Sequence, residues 1–244
     1  ERLTSDHFIN RIPSLKINLI AVDEAHCISQ WGYDFRPSYL NINKIRTWLP
    51  KVPILALTAT ATTKVVDDIQ DKLLFNKHNV IRQSFHRPNL VYFVSYEEDK
   101  KRTLLRMMNK QEGSGIVYVR RRNMTSEIAT FLVTNSISAT HYHGGLNSQE
   151  RDKRQADWMS GAVRIMVATN AFGMGIDKPN VRFVVHLDLP DNLEAYFQEA
   201  GRAGRDQQRS FAVLMWENAD IIELEKNFEQ SFPPIETIKN VYQA

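Results

Sequence analysis

Two adjacent carboxylates, Asp23 and Glu24, follow an apolar run from Ile17 to Val22, and His26 stands two positions beyond them. The run reads as a buried strand, and in an open α/β sheet the carboxyl ends of strands are where ligands bind. An Asp–Glu pair at such an end suits a metal–nucleotide site. Asp23 is the candidate to hold Mg²⁺, the hard cation that accompanies phosphates, and Glu24 the candidate to orient or deprotonate an attacking water. His26 is placed to hydrogen-bond across to a neighbouring loop. For these four letters alone, a strand followed by a polar turn is the simpler reading.

The residues that follow argue against that simpler reading. Trp31, Tyr33 and Phe35 alternate with Gly32, Asp34 and Arg36 in a segment too polar and irregular for a core strand. Aromatics interleaved with a basic residue are what a base-stacking platform needs, at roughly 1–3 kcal/mol per stacked base. Taken together, Ile20 to Pro37 resembles the Walker B motif, in its DEAH form, and the aromatic-rich loop of the RecQ-family DNA helicases of superfamily two. The resemblance implies that Asp23, Glu24 and His26 serve ATP hydrolysis. It also implies that Trp31, Phe35 and Arg36 sense single-stranded DNA and relay its presence to the ATPase site. Tyr33 stands where the family usually has His, which removes an imidazole from the loop but leaves its capacity to stack.

At 244 residues the chain is long enough for one large domain or two ordinary ones. Its 43% hydrophobic and 24% charged residues are globular values. No apolar run approaches the roughly 20 residues of a membrane span, and no signal peptide opens the sequence. A soluble intracellular protein with no membrane partner is expected: cytoplasmic or nucleoid-associated in a bacterium, nuclear in a eukaryote. The single cysteine, Cys27, excludes an internal disulfide and a four-cysteine zinc site. No zinc is therefore expected here, although RecQ relatives usually carry a zinc module after the motor. A net charge of +3 and a pI near 8.9 mildly favour a polyanionic partner.

The elements that must position these residues follow from periodicity and breakers. A strand over 16–22 and a helix over 41–49 precede the turn of Pro50 and Pro53. A strand over 54–57 leads into Thr58-Ala59-Thr60-Ala61-Thr62 and a helix over 63–74. Hydroxylated residues there can cap the helix; the same string also resembles helicase motif III, which couples the nucleotide site to DNA. A third strand is expected over 80–84. Phe85-His86-Arg87-Pro88-Asn89 then breaks the pattern and marks a domain boundary.

Beyond it, strands over 90–96, 115–119, 139–142, 164–168, 182–187 and 210–214 alternate with helices over 100–109, 123–135, 148–161 and 193–200. Asn147 and Glu150 are spaced as a capping box. Such alternation implies a parallel sheet covered on both faces. Asn218 is expected to cap a helix to about residue 230, followed by a short helix ending near Tyr242. The expected class is thus α/β with RecA-like parallel sheets. Residues 1–85 correspond to the C-terminal part of a first lobe, 86–217 to a complete second lobe, and 218–244 to a helical extension.

The second unit carries further motifs. Arg120-Arg121-Arg122, between a strand and a helix, is either a solvated turn or a phosphate-holding cluster; the family has a DNA-backbone contact there. His141-Tyr142-His143-Gly144-Gly145 puts two histidines on one strand face, but no carboxylate or thiol cluster accompanies them. The string resembles a helicase loop whose glycine admits a DNA backbone, with His143 as the contact.

Thr169 to Asp177 resembles motif V, which implies that Thr169 meets DNA while Gly175 and Asp177 face nucleotide. Gln198-Glu199-Ala200-Gly201-Arg202-Ala203-Gly204-Arg205-Asp206 resembles motif VI. That likeness implies nucleotide contact for Gln198, an arginine finger in Arg205, and in Arg202 either a second γ-phosphate contact or a bridge between motifs. Two arginines three apart point in similar directions if the helical turn continues, and their planar forks match phosphate. Gln207 replaces the glycine the family usually has after the final Asp.

A P-loop, Gly-x-x-x-x-Gly-Lys-Ser/Thr, occurs nowhere in these residues. Glu1-Arg2-Leu3 resembles the tail of a family motif, so the start reads as a cut inside a domain. The resemblance spans Glu1 to about Glu217. It implies the rear portion of an ATP- and Mg²⁺-dependent helicase of DNA repair and recombination, translocating 3′ to 5′ on single-stranded DNA and unwinding duplex DNA. Such enzymes open and close two lobes around ATP, and the arginine finger completes the site on closure.

The chain alone is expected to be inactive. Its truncated first lobe is expected to expose sheet edge and to pair with another chain. The alternatives are a non-catalytic nucleic-acid-binding or partner-binding remnant, or an RNA-directed helicase.

Overall fold

The structure, a computed structural model, describes all residues except Glu1, Arg2, Thr4, Tyr33, Thr60, Met174, Pro233 and Ala244, and omits the side chains of Pro13, Tyr242 and Gln243. The readings of Glu1-Arg2, of the Tyr33 ring and of Thr60 therefore lie outside the described residues. The chain divides into two compact units, Glu1–Phe85 and His86–Ala244.

In the first unit, α1 (Asp6–Arg11) leads to β1 (Ile20–Val22), α2 (Ile45–Trp48), β2 (Ile54–Ala56) and α3 (Thr63–Lys72). β1 and β2 pair in parallel with Ile20 opposite Ile54. α3 starts where the Thr62 hydroxyl accepts from the Val65 N–H and buries Val65 and Ile69, four residues apart on one face, against Val22, Ala25 and Ile28. It ends with Leu74 in the left-handed region.

Three sequence expectations fail in this unit, the first being the buried strand over 16–22, which forms only at Ile20–Val22 and leaves Ala21 exposed. The helix over 41–49 is mostly a 3-10 run, Pro37–Lys44, with a single α turn after it. Asn41 and Asn43 compete with the backbone for hydrogen bonds and favour short-range turns over a regular helix. The strand over 80–84 does not form; those residues carry no regular structure. A strand is stabilised by its neighbour rather than by its own propensity. Here the stretch does not join the β1–β2 pair, and it lines with β2 a cleft of about 810 Å³. Ile81 is 88% exposed as a result.

In the second unit, β3 (Leu90–Tyr96), α4 (Lys100–Lys110), β4 (Ser114–Tyr118), α5 (Arg122–Thr134), β5 (Ala139–Tyr142), α6 (Ser148–Ser160), β6 (Ile165–Ala168), β7 (Val181–His186), α7 (Leu193–Ala200), β8 (Ser210–Trp216), α8 (Asn218–Ser231) and α9 (Ile235–Gln243) follow in order. The six strands form one parallel sheet in the order β3-β8-β7-β4-β6-β5. This is the covered α/β sheet the alternation predicts. The period-two rule divides its faces: Val117 and Val185 pack with Leu104, Ile128 and Leu132 on one side, and Ile116 and Val184 with Trp158, Tyr196 and Ala200 on the other. α8 is capped by Glu217, not Asn218, because the Asp220 carboxylate accepts from the Glu217 N–H at 2.7 Å.

The sheet centre tolerates no added volume at Gly115, where a Cβ would stand 1.9 Å from the Phe183 ring. Gly115→Ala should cost about 1–3 kcal/mol through overpacking. Urea unfolding of the chain, followed by circular dichroism, would measure that loss.

Candidate functional site

In the first unit, β1 ends at Val22, and the next carboxylates leave the sheet at once. Asp23 is exposed and accepts through Oδ1 from the Glu24 N–H at 2.9 Å. Glu24 adopts a left-handed backbone, φ 48°, an uncommon conformation for a residue with a side chain. That reversal starts the 3-10 turn Ala25–Ile28 and folds it beneath the strand end. The turn is pinned to β2: the Ala25 N–H donates to Leu57 O and the Leu57 N–H to Val22 O.

His26 is 2% exposed, and its Nδ1 lies 3.0 Å from Thr58 Oγ1 and 3.4 Å from Glu24 Oε2. Burial lowers its pKa, opposed by the Glu24 and Asp34 charges. The ring is therefore a hydrogen-bonding bridge rather than a standing cation. Thr58 and Thr62 divide the two readings of the threonine string between them: Thr58 meets His26, and Thr62 caps α3.

The aromatic stretch is held from the same turn. A Cβ on Gly32 would stand 2.6 Å from His26 O, so this passage is open only to glycine. The Arg36 N–H donates to Cys27 O, and the Arg36 guanidinium holds Asp34 at 2.5 Å, which lowers the Asp34 pKa. Trp31 is 61% exposed, with the Lys64 ammonium 3.1 Å from its ring centroid. One face of Trp31 is thus already occupied by a cation. Phe35 is half-buried rather than a freely exposed ring.

In the second unit, the stretches with Arg120, Thr169 and Asp188 leave the carboxyl ends of β4, β6 and β7, while the loop after α7 is tied to the amino end of β7, the Gly204 N–H donating to Val181 O and the Asp206 N–H to Pro179 O. The two arginines after α7 diverge, contrary to the expectation of a continued turn, because the helix ends at Ala200 and residues 201–206 run as successive turns. Arg202 points inward. It is 8% exposed, donates from Nη1 to Gly173 O at 2.6 Å, and lies so close that a Cβ on Gly173 would meet its Nη2 at 2.2 Å. Arg205 points outward and donates to Ile176 O and to Asp177 Oδ1 at 2.9 and 3.0 Å. Asp177 is 82% exposed and Arg205 37%, so this ion pair is weakly held and open to exchange for another anion. Gly175, two residues before Asp177, has φ 75°. Gln198 is half-buried on α7.

Of the three arginines, Arg120 is committed to its own fold, donating to Leu189 O at 2.7 Å and pairing with Asp191 at 3.1 Å. Arg121 and Arg122 are exposed at the start of α5, and the Arg122 guanidinium would lie 3.3 Å from a Cβ on Gly145. His143 Nδ1 accepts from the Gly145 N–H at 3.2 Å and stacks on His141. Thr169 is 6% exposed and its hydroxyl accepts from the Ala171 N–H.

Arg87 and Asn89, taken in the sequence only as a break, are structural clamps. Arg87 donates to Gly201 O, Ala203 O and Gly204 O at 3.1, 2.9 and 2.6 Å. Asn89 donates to Gly204 O and Gln208 O. Together they fix the loop that presents Arg202 and Arg205, whose Gly204 has φ 63°. An Arg and an Asn flanking proline gave no distance-independent signal of partners more than a hundred residues away.

A parallel sheet with strand-end carboxylates and arginine loops defines a RecA-like helicase fold. The S. cerevisiae Dbp5 structure bound to RNA and ADP BeF3 has the same fold, with a TM-score of 0.66 and 21% identity over 92% of this chain and 60% of that one. Residues 1–69 match the DEAD/DEAH box helicase family and residues 99–207 the helicase conserved C-terminal domain. The Bacillus subtilis ATP-dependent DNA helicase RecQ is 46% identical over 95% of this chain and 39% of its own length. The Haemophilus influenzae protein of the same name is 45% identical over 93% and 37%. The chain belongs to the RecQ family of superfamily-two helicases. It spans about two fifths of the length of these relatives.

Arg87→Ala removes three charge-assisted bonds to one loop and should cost about 1.5–3 kcal/mol. Arg87→Lys, which lacks the fork, should recover only part of that. Urea unfolding and amide exchange over residues 201–206 would report both losses.

Proposed function

We propose that the chain is part of an ATP-dependent DNA helicase that couples ATP hydrolysis to 3′-to-5′ translocation on single-stranded DNA, and to duplex unwinding in repair and recombination. Residues 1–85 belong to its first motor lobe, 86–217 form the second, and 218–244 are a helical extension. The observation that carries the reading is the bridge from Glu24 through His26 to Thr58 at the carboxyl ends of β1 and β2. It links the carboxylate that would handle water to the loop after the neighbouring strand, on the same turn that holds Trp31 to Arg36.

Asp23 fits Mg²⁺ as an exposed hard-oxygen donor at a strand end, and the ion would neutralise charge on the transferring phosphoryl group when bound with ATP. Glu24 orients the attacking water, held in place by His26. Arg205 leaves Asp177 for the γ-phosphate as an arginine finger, while Arg202 braces the Gly173 loop. Gly175 and Gln198 contribute nucleotide contacts. Trp31, Phe35 and Arg36 contact single-stranded DNA, as do the exposed Arg121 and Arg122, His143 and the Thr169 loop. Arg120 aligns its neighbours through its own ties to Leu189 and Asp191.

In the whole protein, Trp31→Ala should leave basal hydrolysis nearly unchanged and reduce its stimulation by DNA; equal stimulation would sink the relay. Arg205→Lys there should slow hydrolysis by roughly 10³–10⁵ while retaining DNA binding, as for other arginine fingers. The 244-residue chain itself lacks a P-loop, and should bind single-stranded DNA weakly, more so as salt rises. It should show no DNA-stimulated ATP turnover. Fluorescent-DNA titration at two salt concentrations with a parallel ATPase assay decides this, and appreciable turnover would refute it.

A further inference from the structure

Beneath the turn that carries Asp23 and Glu24, three side chains of different metal-binding chemistry meet. His26 Nε2 lies 3.6 Å from Cys27 Sγ, Cys27 Sγ lies 3.7 Å from Asp34 Oδ2, and all three ligand atoms are within 4.8 Å of one another. Metal–nitrogen and metal–oxygen bonds of about 2.0–2.2 Å and a metal–sulfur bond of about 2.3 Å, set at tetrahedral angles, separate neighbouring ligand atoms by roughly 3.3–3.7 Å. Two of the three edges already have that length. The third closes by a small rotation of Asp34, whose side chain is 41% exposed.

The imidazole is oriented from its far side. With its proton on Nδ1, directed at Thr58 Oγ1 and Glu24 Oε2, the ring turns the Nε2 lone pair toward Cys27, which is how a ligating histidine is held. We infer that His26 Nε2, Cys27 Sγ and Asp34 Oδ2 form a site for a thiophilic divalent cation of the zinc class, with water in the fourth position.

On binding, the Cys27 thiol releases its proton to solvent and the sulfur forms the metal bond; nothing is oxidised or reduced. Without the ion, burial pushes the thiol up to about 11, and the cation reverses that preference. Arg36 Nη2 donates to the same Asp34 oxygen at 2.5 Å and opposes an incoming cation. Once the thiolate forms, Cys27, Asp34 and Glu24 balance the guanidinium and the divalent ion, and the cluster is neutral. Imidazole and thiolate select zinc, cobalt or cadmium and reject Mg²⁺, which separates this site from Asp23. The expectation of no zinc rested on the lack of four cysteines and does not bear on a mixed-ligand site. Its effect is a cross-link from the turn at residues 26–27 to the stretch that carries the aromatics.

The 244-residue chain titrated with Co²⁺ alone tests the site. Cys27 is the single cysteine, so a thiolate-to-cobalt charge-transfer band has one source. The expected result is a band saturating at one equivalent, with the strong visible absorption of a tetrahedral ion. It should vanish in Cys27→Ser, weaken by at least about tenfold in Asp34→Asn, and persist in Asp23→Asn and His143→Ala. Zn²⁺ should raise the thermal midpoint of the wild type and not of Cys27→Ser. Absence of the band at millimolar Co²⁺ would overturn the proposal. So would unchanged affinity in Asp34→Asn, which is on a half-exposed side chain and keeps the test valid if Cys27→Ser fails to fold.

Discussion

A parallel strand buried on both faces can carry no unpaired charge along its length, because an unpaired ionised group in the core costs several kcal/mol. In this chain that constraint forces the chemistry to the strand ends; Arg182, near the start of β7, is half-buried and paired with Asp206. β4, β6 and β7 are buried almost throughout, and the polar residues appear where they stop: Arg120 after β4, Thr169 after β6, Asp188 after β7. β1 is only partly buried, yet it too ends on buried Val22 followed directly by exposed Asp23.

The loops that leave the sheet are held largely through backbone carbonyls: the Gly204 N–H donates to Val181 O at the amino end of β7, and arginines supply further ties. Arg87 holds three carbonyls on the loop after α7, and Arg202 holds one on the loop after β6. Arginine suits the task because one planar fork reaches several acceptors while its charge stays fixed. The cost is that these arginines are withdrawn from ligand contact. Arg205, paired only at the surface, keeps that freedom.

The turn after β1 solves a related problem with an imidazole. His26 is buried and polar, so both ring nitrogens need partners. Thr58 and Glu24 serve Nδ1, and Cys27 faces Nε2. The same arrangement that satisfies a buried ring also ties the carboxylate turn to the loop after β2, so packing and chemistry share one residue.

The sequence by itself determined the class of fold, the order of strands and helices in the second unit, and the strand-end placement of Asp23 and Glu24. Apolar periodicity and capping residues are local, and a chain expresses them wherever it folds. Spacing also marked Arg202 and Arg205, but not their division of labour. That was set by the end of α7 at Ala200, which turned one guanidinium into the core and the other to solvent. Tertiary structure alone decided that Thr58 meets His26, that Arg87 and Asn89 clamp a loop more than a hundred residues away, and that residues 80–84 stay irregular although their composition favours a strand. Each of these depends on what stands beside a residue in space, and a hydrogen bond or a sheet ladder needs a partner whose position no local pattern encodes.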